Sequence, residues 1–141
     1  MDKNDVTRKL PAPAPFVSPE TAPFWSAAKE GRLILPFCMN CQHPIWYPKR
    51  FCGGCGSRDI EWRQVSGAGE IYSFSQVYRG EGDYRDVGSF VLALVDLDEG
   101  VRVLTNIVDA APADLKIGQR VSVVFHDAGA DAALPRFTPA Q

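Results

Sequence analysis

Short runs of alternating apolar and polar residues dominate the second half of the chain, from residue 67 onward. Alternation with a period of two is typical of strands that bury one face. The pattern predicts a mainly β fold with a hairpin turn at 98–100 and a short edge strand at the end. The predicted strands are residues 69–77, 89–97, 101–108, 120–126 and 134–137. About five strands in so short a segment favour a closed barrel, and the OB-fold is the common five-stranded form. Residues 67–141 are therefore predicted to form an OB-fold barrel, with a polar loop at 81–88.

The first half begins with signals for one short helix, predicted at residues 18–31. Ser18 can cap the helix, and Gly31 supplies a stop signal. Phe24 and Trp25 fall on one face of this helix, so they must pack against another part of the fold or against a partner.

An arm precedes the predicted helix. Prolines alternate with alanine within residues 1–17, and this pattern favours an extended, polyproline-like conformation. Residues 1–9 are expected to form a disordered tail. Two interpretations of the remainder stay open, a disordered segment and a strap across a partner.

Four cysteines give the strongest chemical signal. They form two C-x-x-C pairs separated by ten residues, within a chain that has no other cysteine: Cys38, Cys41, Cys52 and Cys55. Two such turns facing each other place four thiolates around a tetrahedron, which suits Zn²⁺. Four thiolates leave no open position, so a structural zinc is predicted. Iron in a rubredoxin-like electron-transfer centre is the alternative. Residues 32–66 are therefore predicted to form a zinc ribbon, with short strands at 32–37 and 45–47.

Charge and hydropathy restrict the class of protein. The chain has 141 residues and a net charge of −2. Lys and Arg outnumber Asp and Glu by nine to six up to Ser66, whereas acidic residues outnumber basic ones by eleven to six afterwards. This change supports a boundary near Ser66, and the acidic barrel argues against nucleic-acid binding. The longest apolar run, residues 90–95, is too short to span a bilayer. With no signal peptide visible at residues 1–10, a cytoplasmic protein is expected.

The residues outside the metal cluster indicate binding rather than catalysis. We find no set of nucleophile, base and orienting group, so no enzyme activity is expected. His126 stands alone and is expected at the surface. Aromatic residues crowd the loop between the two cysteine pairs, beside two basic residues that could meet a phosphate or a carboxylate. The predicted partner-binding residues are Trp46, Tyr47 and Phe51, with Phe24 and Trp25 as rival anchors, and the basic residues are Lys49 and Arg50.

The order of these small motifs resembles a known family, the zinc-ribbon and OB-fold proteins called domain of unknown function 35. The resemblance covers residues 23–139, and Gln42 departs from it, because zinc knuckles often carry glycine there. It rests on Phe24-Trp25, Gly31-Arg32-Leu33, the two cysteine pairs, Tyr47-Pro48-x-Arg50, Gly56-Ser57, Trp62, Ser66-Gly67-x-Gly69, Ile71-Tyr72-Ser73, Glu99-Gly100, Ile117-Gly118 and Val121.

The resemblance implies a partner protein. Members of this family accompany thiolase-like enzymes, including aldolases of steroid side-chain breakdown, as accessory subunits that complete or stabilise the complex. Some help to enclose coenzyme A, which is the phosphate ligand expected at Lys49 and Arg50. The alternative is a protein that binds single-stranded nucleic acid, with Tyr72, Phe74 and Tyr78 as stacking platforms on the barrel.

Overall fold

The computed structural model describes residues 10–141, and the predicted tail at residues 1–9 lies outside the described residues. One helix and seven strands follow in chain order, with short 3₁₀ turns at Gly82–Tyr84 and Pro112–Asp114. None of the described helices is long and apolar enough to cross a membrane. The elements are α1 (Ala22–Lys29), β1 (Ile34–Cys38), β2 (Ile60–Gln64), β3 (Ala68–Val77), β4 (Phe90–Leu97), β5 (Arg102–Ile107), β6 (Arg120–Asp127) and β7 (Ala133–Pro139).

Five strands close into a barrel in the order β3-β4-β5-β7-β6, and β6 returns to pair with β3. The OB-fold barrel predicted from the alternating pattern is confirmed. The final strand differs from its prediction, since β7 is no short edge strand. It pairs with β6 over all seven of its residues and closes the barrel against β5. The closure on the β5 side is short, because β7 pairs with β5 only at Phe137 with Ile107.

The ribbon is a two-stranded antiparallel sheet of β1 and β2, with both cysteine pairs at its end. The strand predicted at 45–47 does not form, and only an isolated bridge joins Phe37 to Pro44. The second strand of the ribbon is instead β2, which lies outside the predicted strands although Ile60 and Trp62 alternate with polar residues. The predicted division near Ser66 falls in the connection between β2 and β3.

The helix begins four residues later than its sequence signals indicate, at Ala22 rather than Ser18. Ser18 and Thr21 form a hydrogen-bonded turn, in which the Thr21 N–H donates to Ser18 Oγ at 3.2 Å. Pro23 lacks a backbone N–H and is tolerated only in the first turn of a helix, so the helix starts directly before it. Gly31 follows the end of the helix with a φ of +80°, as its stop signal predicted.

The helix and the barrel share one hydrophobic core. Phe24 and Trp25 belong to the same buried cluster as the barrel residues Val95 and Phe137. A second, much smaller cluster surrounds the cysteines and includes Ile45. The ribbon therefore depends on the metal and on the helix for its position, because its own apolar interior is small.

The described part of the arm is a strap on the barrel of its own chain. Leu10 is buried, and Ala12 and Val17 pack against the main core. Residues 10–17 have no regular secondary structure. The sequence left open a disordered segment and a strap across a partner, and neither describes these contacts with the barrel of the same chain.

Candidate functional site

The four cysteines converge as predicted. Their sulfur atoms all lie within 4.8 Å of one another, and the Sγ atoms of Cys38 and Cys55 are 3.7 Å apart. Four sulfurs placed 2.3 Å from a central Zn²⁺ in a tetrahedron are separated by about 3.8 Å. The geometry therefore fits a single zinc ion held by four thiolates.

The two cysteine turns have matching backbone hydrogen bonds. In the first turn the N–H of Gln42 donates to the Cys38 carbonyl at 2.8 Å, and in the second the N–H of Gly56 donates to the Cys52 carbonyl at 2.8 Å. Each turn also directs a backbone N–H at the sulfur of its first cysteine, at 3.3 Å in both cases. Such donors stabilise negative charge on sulfur, which is the form that binds metal.

Gln42 occupies the left-handed position that Gly56 occupies in the second turn. Its φ is +61°, whereas that of Gly56 is +77°. The departure from glycine noted in the sequence is thus accommodated by strain in the backbone rather than by a different turn. The Gln42 side chain adds a compensating contact, because its Nε2 donates to the Met39 carbonyl at 2.7 Å.

The protonation behaviour of the thiols follows their position. A hydrogen bond from the Ser57 backbone, supported by Asn40, lowers the pKa of Cys55 to about 6. A hydrogen bond to Cys55 raises the pKa of Cys41 to about 12. Without metal the Cys55 thiol thus ionises more readily than the Cys41 thiol. Metal binds the thiolate form of cysteine, so its binding releases the proton of Cys41.

The predicted partner-binding aromatics divide into two groups. Tyr47 and Phe51 are 49% and 44% exposed, and the Nζ atom of Lys49 lies 5.0 Å from the Phe51 ring centroid. Trp46 is half-buried and contacts Phe24 edge-on, with ring centroids 5.7 Å apart. The loop between the cysteine pairs therefore presents two exposed rings, while its tryptophan joins the ribbon to the core.

The rival anchors on the helix are not at the surface. Phe24 is 2% exposed and Trp25 is 7% exposed, and both lie in the main core. The expectation that they could contact a partner directly is wrong for this arrangement, because the helix buries them against the barrel. Their identity as large aromatics on one face was correct, but the sequence could not tell a partner from the rest of the same chain.

The aromatic residues proposed for stacking bases do not form a common platform. Tyr72 is half-exposed, but the Arg102 guanidinium lies 3.4 Å from its ring centroid and already covers it. Phe74 packs against the core, and Tyr78 is exposed at the end of β3. This arrangement offers little to a single strand of nucleic acid, which needs successive accessible rings.

A buried cation lies in the barrel without any signal in the sequence. Arg136 on β7 is 2% exposed, and its guanidinium donates to the Pro11 carbonyl at 2.6 Å and to the Tyr84 hydroxyl at 3.0 Å. It also lies 2.8 Å from Nδ1 of His126, which is therefore half-buried in a network rather than an isolated surface residue. Burial lowers the pKa of Arg136. Nothing in the local pattern marks this arginine, since its partners lie up to 126 residues away in the chain.

Comparison with known proteins places these features in a family. Residues 25–61 match the family model described as the rubredoxin-like zinc ribbon domain of ChsH2, and residues 62–126 match its C-terminal OB-fold domain. A DUF35 domain-containing scaffold protein of Methanocaldococcus jannaschii is 33% identical over 104 residues, which are 72% of this chain and 73% of that protein. This chain belongs to the DUF35 family. The resemblance seen in the sequence is confirmed, and so is the zinc ribbon with its structural zinc.

Two further relatives carry the names of enzymes, an aldolase and an enoyl-CoA hydratase. A chain of a solved structure called Ltp2-ChsH2(DUF35) aldolase is 32% identical with a TM-score of 0.78, covering 89% of this chain and 98% of that one. A probable enoyl-CoA hydratase alpha subunit of Thermomonospora curvata is 33% identical over 98% of this chain. This chain spans only 44% of the length of that hydratase subunit.

Proposed function

We propose that this chain is a non-catalytic accessory subunit, which binds and completes or stabilises a thiolase-like or aldolase enzyme that acts on acyl-CoA. The observation that carries the proposal is the match to nearly the whole of one chain, 98%, in the structure called Ltp2-ChsH2(DUF35) aldolase. The scaffold names of the archaeal relatives support the same role. The closed ligand shell supports it too, since a zinc held by four thiolates has no position for a substrate.

The surface beside the metal is the proposed interface. Tyr47 and Phe51 expose large rings where the ribbon has little interior to bury them. Aromatic residues and arginine are the groups that most often anchor protein interfaces. The ribbon loop would therefore meet the enzyme with two aromatic anchors and with the basic residues Lys49 and Arg50 at their edge.

Coenzyme A is the proposed ligand at that edge. Neither Lys49 nor Arg50 forms an ion pair with an acidic residue between positions 10 and 141. The Arg50 backbone N–H donates a hydrogen bond to Glu20 Oε1 at 2.8 Å. This bond fixes the loop and leaves the Arg50 side chain exposed. Two cations on a fixed loop suit the phosphate groups of coenzyme A.

The test is co-purification of the tagged, zinc-loaded chain from its native host, with the captured protein identified by mass spectrometry. Alanine at Tyr47 or Phe51 should weaken capture by about 1–3 kcal/mol, which is about 5- to 150-fold in affinity. Zinc content should not change. Tyr78→Ala is the matched control, because Tyr78 is 76% exposed on the barrel and lies outside the proposed interface.

Two results would overturn the proposal. Recovery of this chain alone from the native host would contradict the accessory role. Equal losses for Tyr47→Ala and Tyr78→Ala would contradict the placement of the interface.

Capture of an enoyl-CoA hydratase instead of a thiolase-like enzyme would support a second candidate function, a subunit of a hydratase complex. The relative from Thermomonospora curvata favours this candidate.

A further inference from the structure

A cavity of about 240 Å³ lies where the helix, the ribbon loop and two barrel strands meet. It opens along the seam between β5 and β7, which pair in parallel at a single position, Ile107 with Phe137. Pro135 explains why the pairing stops. Its carbonyl faces β5 and accepts from the Thr105 hydroxyl at 3.2 Å. Its nitrogen therefore faces β5 as well, and it has no hydrogen to donate. The ladder cannot continue past Pro135, and the strands leave a gap into the barrel.

The wall of this seam cavity is mostly apolar, with side chains such as Leu33, Val103 and Leu134. Several polar groups interrupt it. Among them are the Trp25 indole and the Arg136 guanidinium, and both residues are more than nine-tenths buried. An apolar cavity with a few convergent polar groups is the usual form of a small-molecule site.

The Trp25 indole N–H is the one buried side-chain polar atom of the described residues that makes no hydrogen bond. The Tyr47 hydroxyl lies near the indole but forms no hydrogen bond with it. Burial raises the pKa of the Tyr47 phenol, and the Trp25 indole opposes that rise to a smaller extent. A buried donor without an acceptor costs about 1–3 kcal/mol. An acceptor brought by a ligand would remove that cost.

Arg136 supplies the charge. Its hydrogen bonds go to neutral acceptors: the carbonyls of Leu10 and Pro11, the Tyr84 hydroxyl and the His126 ring. No carboxylate in the described part of the chain lies within ion-pair distance of it. Folding has already removed this cation from water. A bound anion would therefore be attracted by the guanidinium without any further cost of desolvating it.

We propose that the seam cavity binds a small organic monocarboxylate with an apolar, ring-sized body. The carboxylate accepts the Trp25 indole N–H and lies in the field of Arg136, while the body fills the apolar wall between β5 and β7. A cavity of about 150 Å³ accommodates benzene, so the larger volume here leaves room for a single ring with a short acidic side chain. Tyr47 of the ribbon loop also lines this cavity, so the site adjoins the proposed enzyme interface, but its ligand is argued from Trp25 and Arg136 and does not depend on the proposed function.

The test uses the zinc-loaded full chain, ¹⁵N-labelled, and 3-phenylpropionate as the probe. The chain has three tryptophans, so three indole N–H signals are expected, and Trp25→Phe identifies the signal of Trp25. Titration with the acid should shift that signal to saturation. The neutral 3-phenylpropanol and the cationic 3-phenylpropylamine should bind at least tenfold more weakly, because they lack the negative charge.

A matched pair of variants locates the site without disturbing the core. Leu104 is 64% exposed at the mouth of the cavity, whereas Leu92 is 39% exposed on the neighbouring strand and does not line it. Leu104→Phe should weaken binding of the acid about tenfold or more, and Leu92→Phe should leave it unchanged. Trp25→Phe should also weaken binding, because the donor is lost while an aromatic ring is kept.

Several results would overturn the proposal. These are equal binding of the acid and the alcohol, a shift that never saturates, or equal effects of the two leucine variants. If the acid does not bind but Leu104→Phe prevents capture of the partner enzyme, the cavity receives a side chain of that partner, and the proposed ligand is wrong.

Discussion

Replacement of Phe24 by alanine should destabilise the whole chain, although the residue lies in a helix of only eight residues. The ring is 2% exposed and is among the largest fully buried side chains. Its centroid lies 4.9 Å from that of Trp25, 5.7 Å from Trp46 and 6.4 Å from Tyr47. Phe24 therefore joins the helix and the ribbon loop to the barrel core.

The size of the effect follows from this packing. A buried Phe→Ala change costs about 3–5 kcal/mol through lost burial and the cavity it leaves. Aromatic contacts contribute about 0.5–1.5 kcal/mol per pair beyond their buried area, so Phe24→Ala should fall in the upper part of that range. At about 3 °C per kcal/mol for a chain of this size, a loss of about 4–5 kcal/mol should lower the Tm by about 12–15 °C.

Denaturation by guanidinium in zinc-containing buffer, followed by circular dichroism, measures the change in unfolding free energy. Phe16→Ala is the matched control, because Phe16 is 89% exposed on the arm and should change stability by no more than about 0.5 kcal/mol. Zinc content should stay constant in both variants, since the cysteines do not contact either ring. A loss below about 1 kcal/mol for Phe24→Ala, or equal losses for the two variants, would refute the assignment of Phe24 to a shared core.

Three further predictions concern the ribbon and the barrel surface. Cys52→Ser should lose zinc, as measured by elemental analysis, and should unfold the ribbon while the barrel strands remain partly formed by circular dichroism; full zinc retention would contradict the four-thiolate site. Gln42→Gly should stabilise the chain by about 0.5–1 kcal/mol, because it relieves a left-handed backbone, and Gly56→Ala should destabilise it by about 1 kcal/mol; denaturation midpoints that move the opposite way would exclude strain at these turns. Hydrogen bonding to Arg120 lowers the pKa of Asp98 from its ordinary value, so the stability from this pair is fully present above that ordinary value and is lost as the pH falls through the lowered pKa. The difference in unfolding free energy between the wild type and Asp98→Asn should therefore shrink on acidification, and a difference that stays constant with pH would contradict the ion pair.

Local sequence was enough to predict the metal centre. The geometry of each cysteine turn depends on hydrogen bonds between residues three or four positions apart, such as those that hold Gln42 and Gly56. Such contacts form wherever the turn sequence occurs, so the spacing of the cysteines determines the site. The same applies to the barrel strands, because alternation records which face of each strand is buried.

The start of the helix was also a local matter, but two local signals competed. Ser18 offered a cap and Pro23 set a limit, and the restriction at proline prevailed because a missing N–H cannot be compensated within the helix. Predicting Ala22 as the first helical residue needed that comparison of energies rather than a further motif.

Tertiary structure alone decided where the apolar and charged groups meet. The burial of Phe24 and Trp25 depends on the barrel strands that pack on the helix, and a pattern of aromatic residues cannot say whether the surface they cover belongs to the same chain or to a partner. Arg136 shows the limit most clearly, since its contact with Leu10 joins residues 126 positions apart. Loop closure over such a distance is driven by the whole core and not by any local preference. The buried cation, and the cavity beside it, exist only once the barrel has closed.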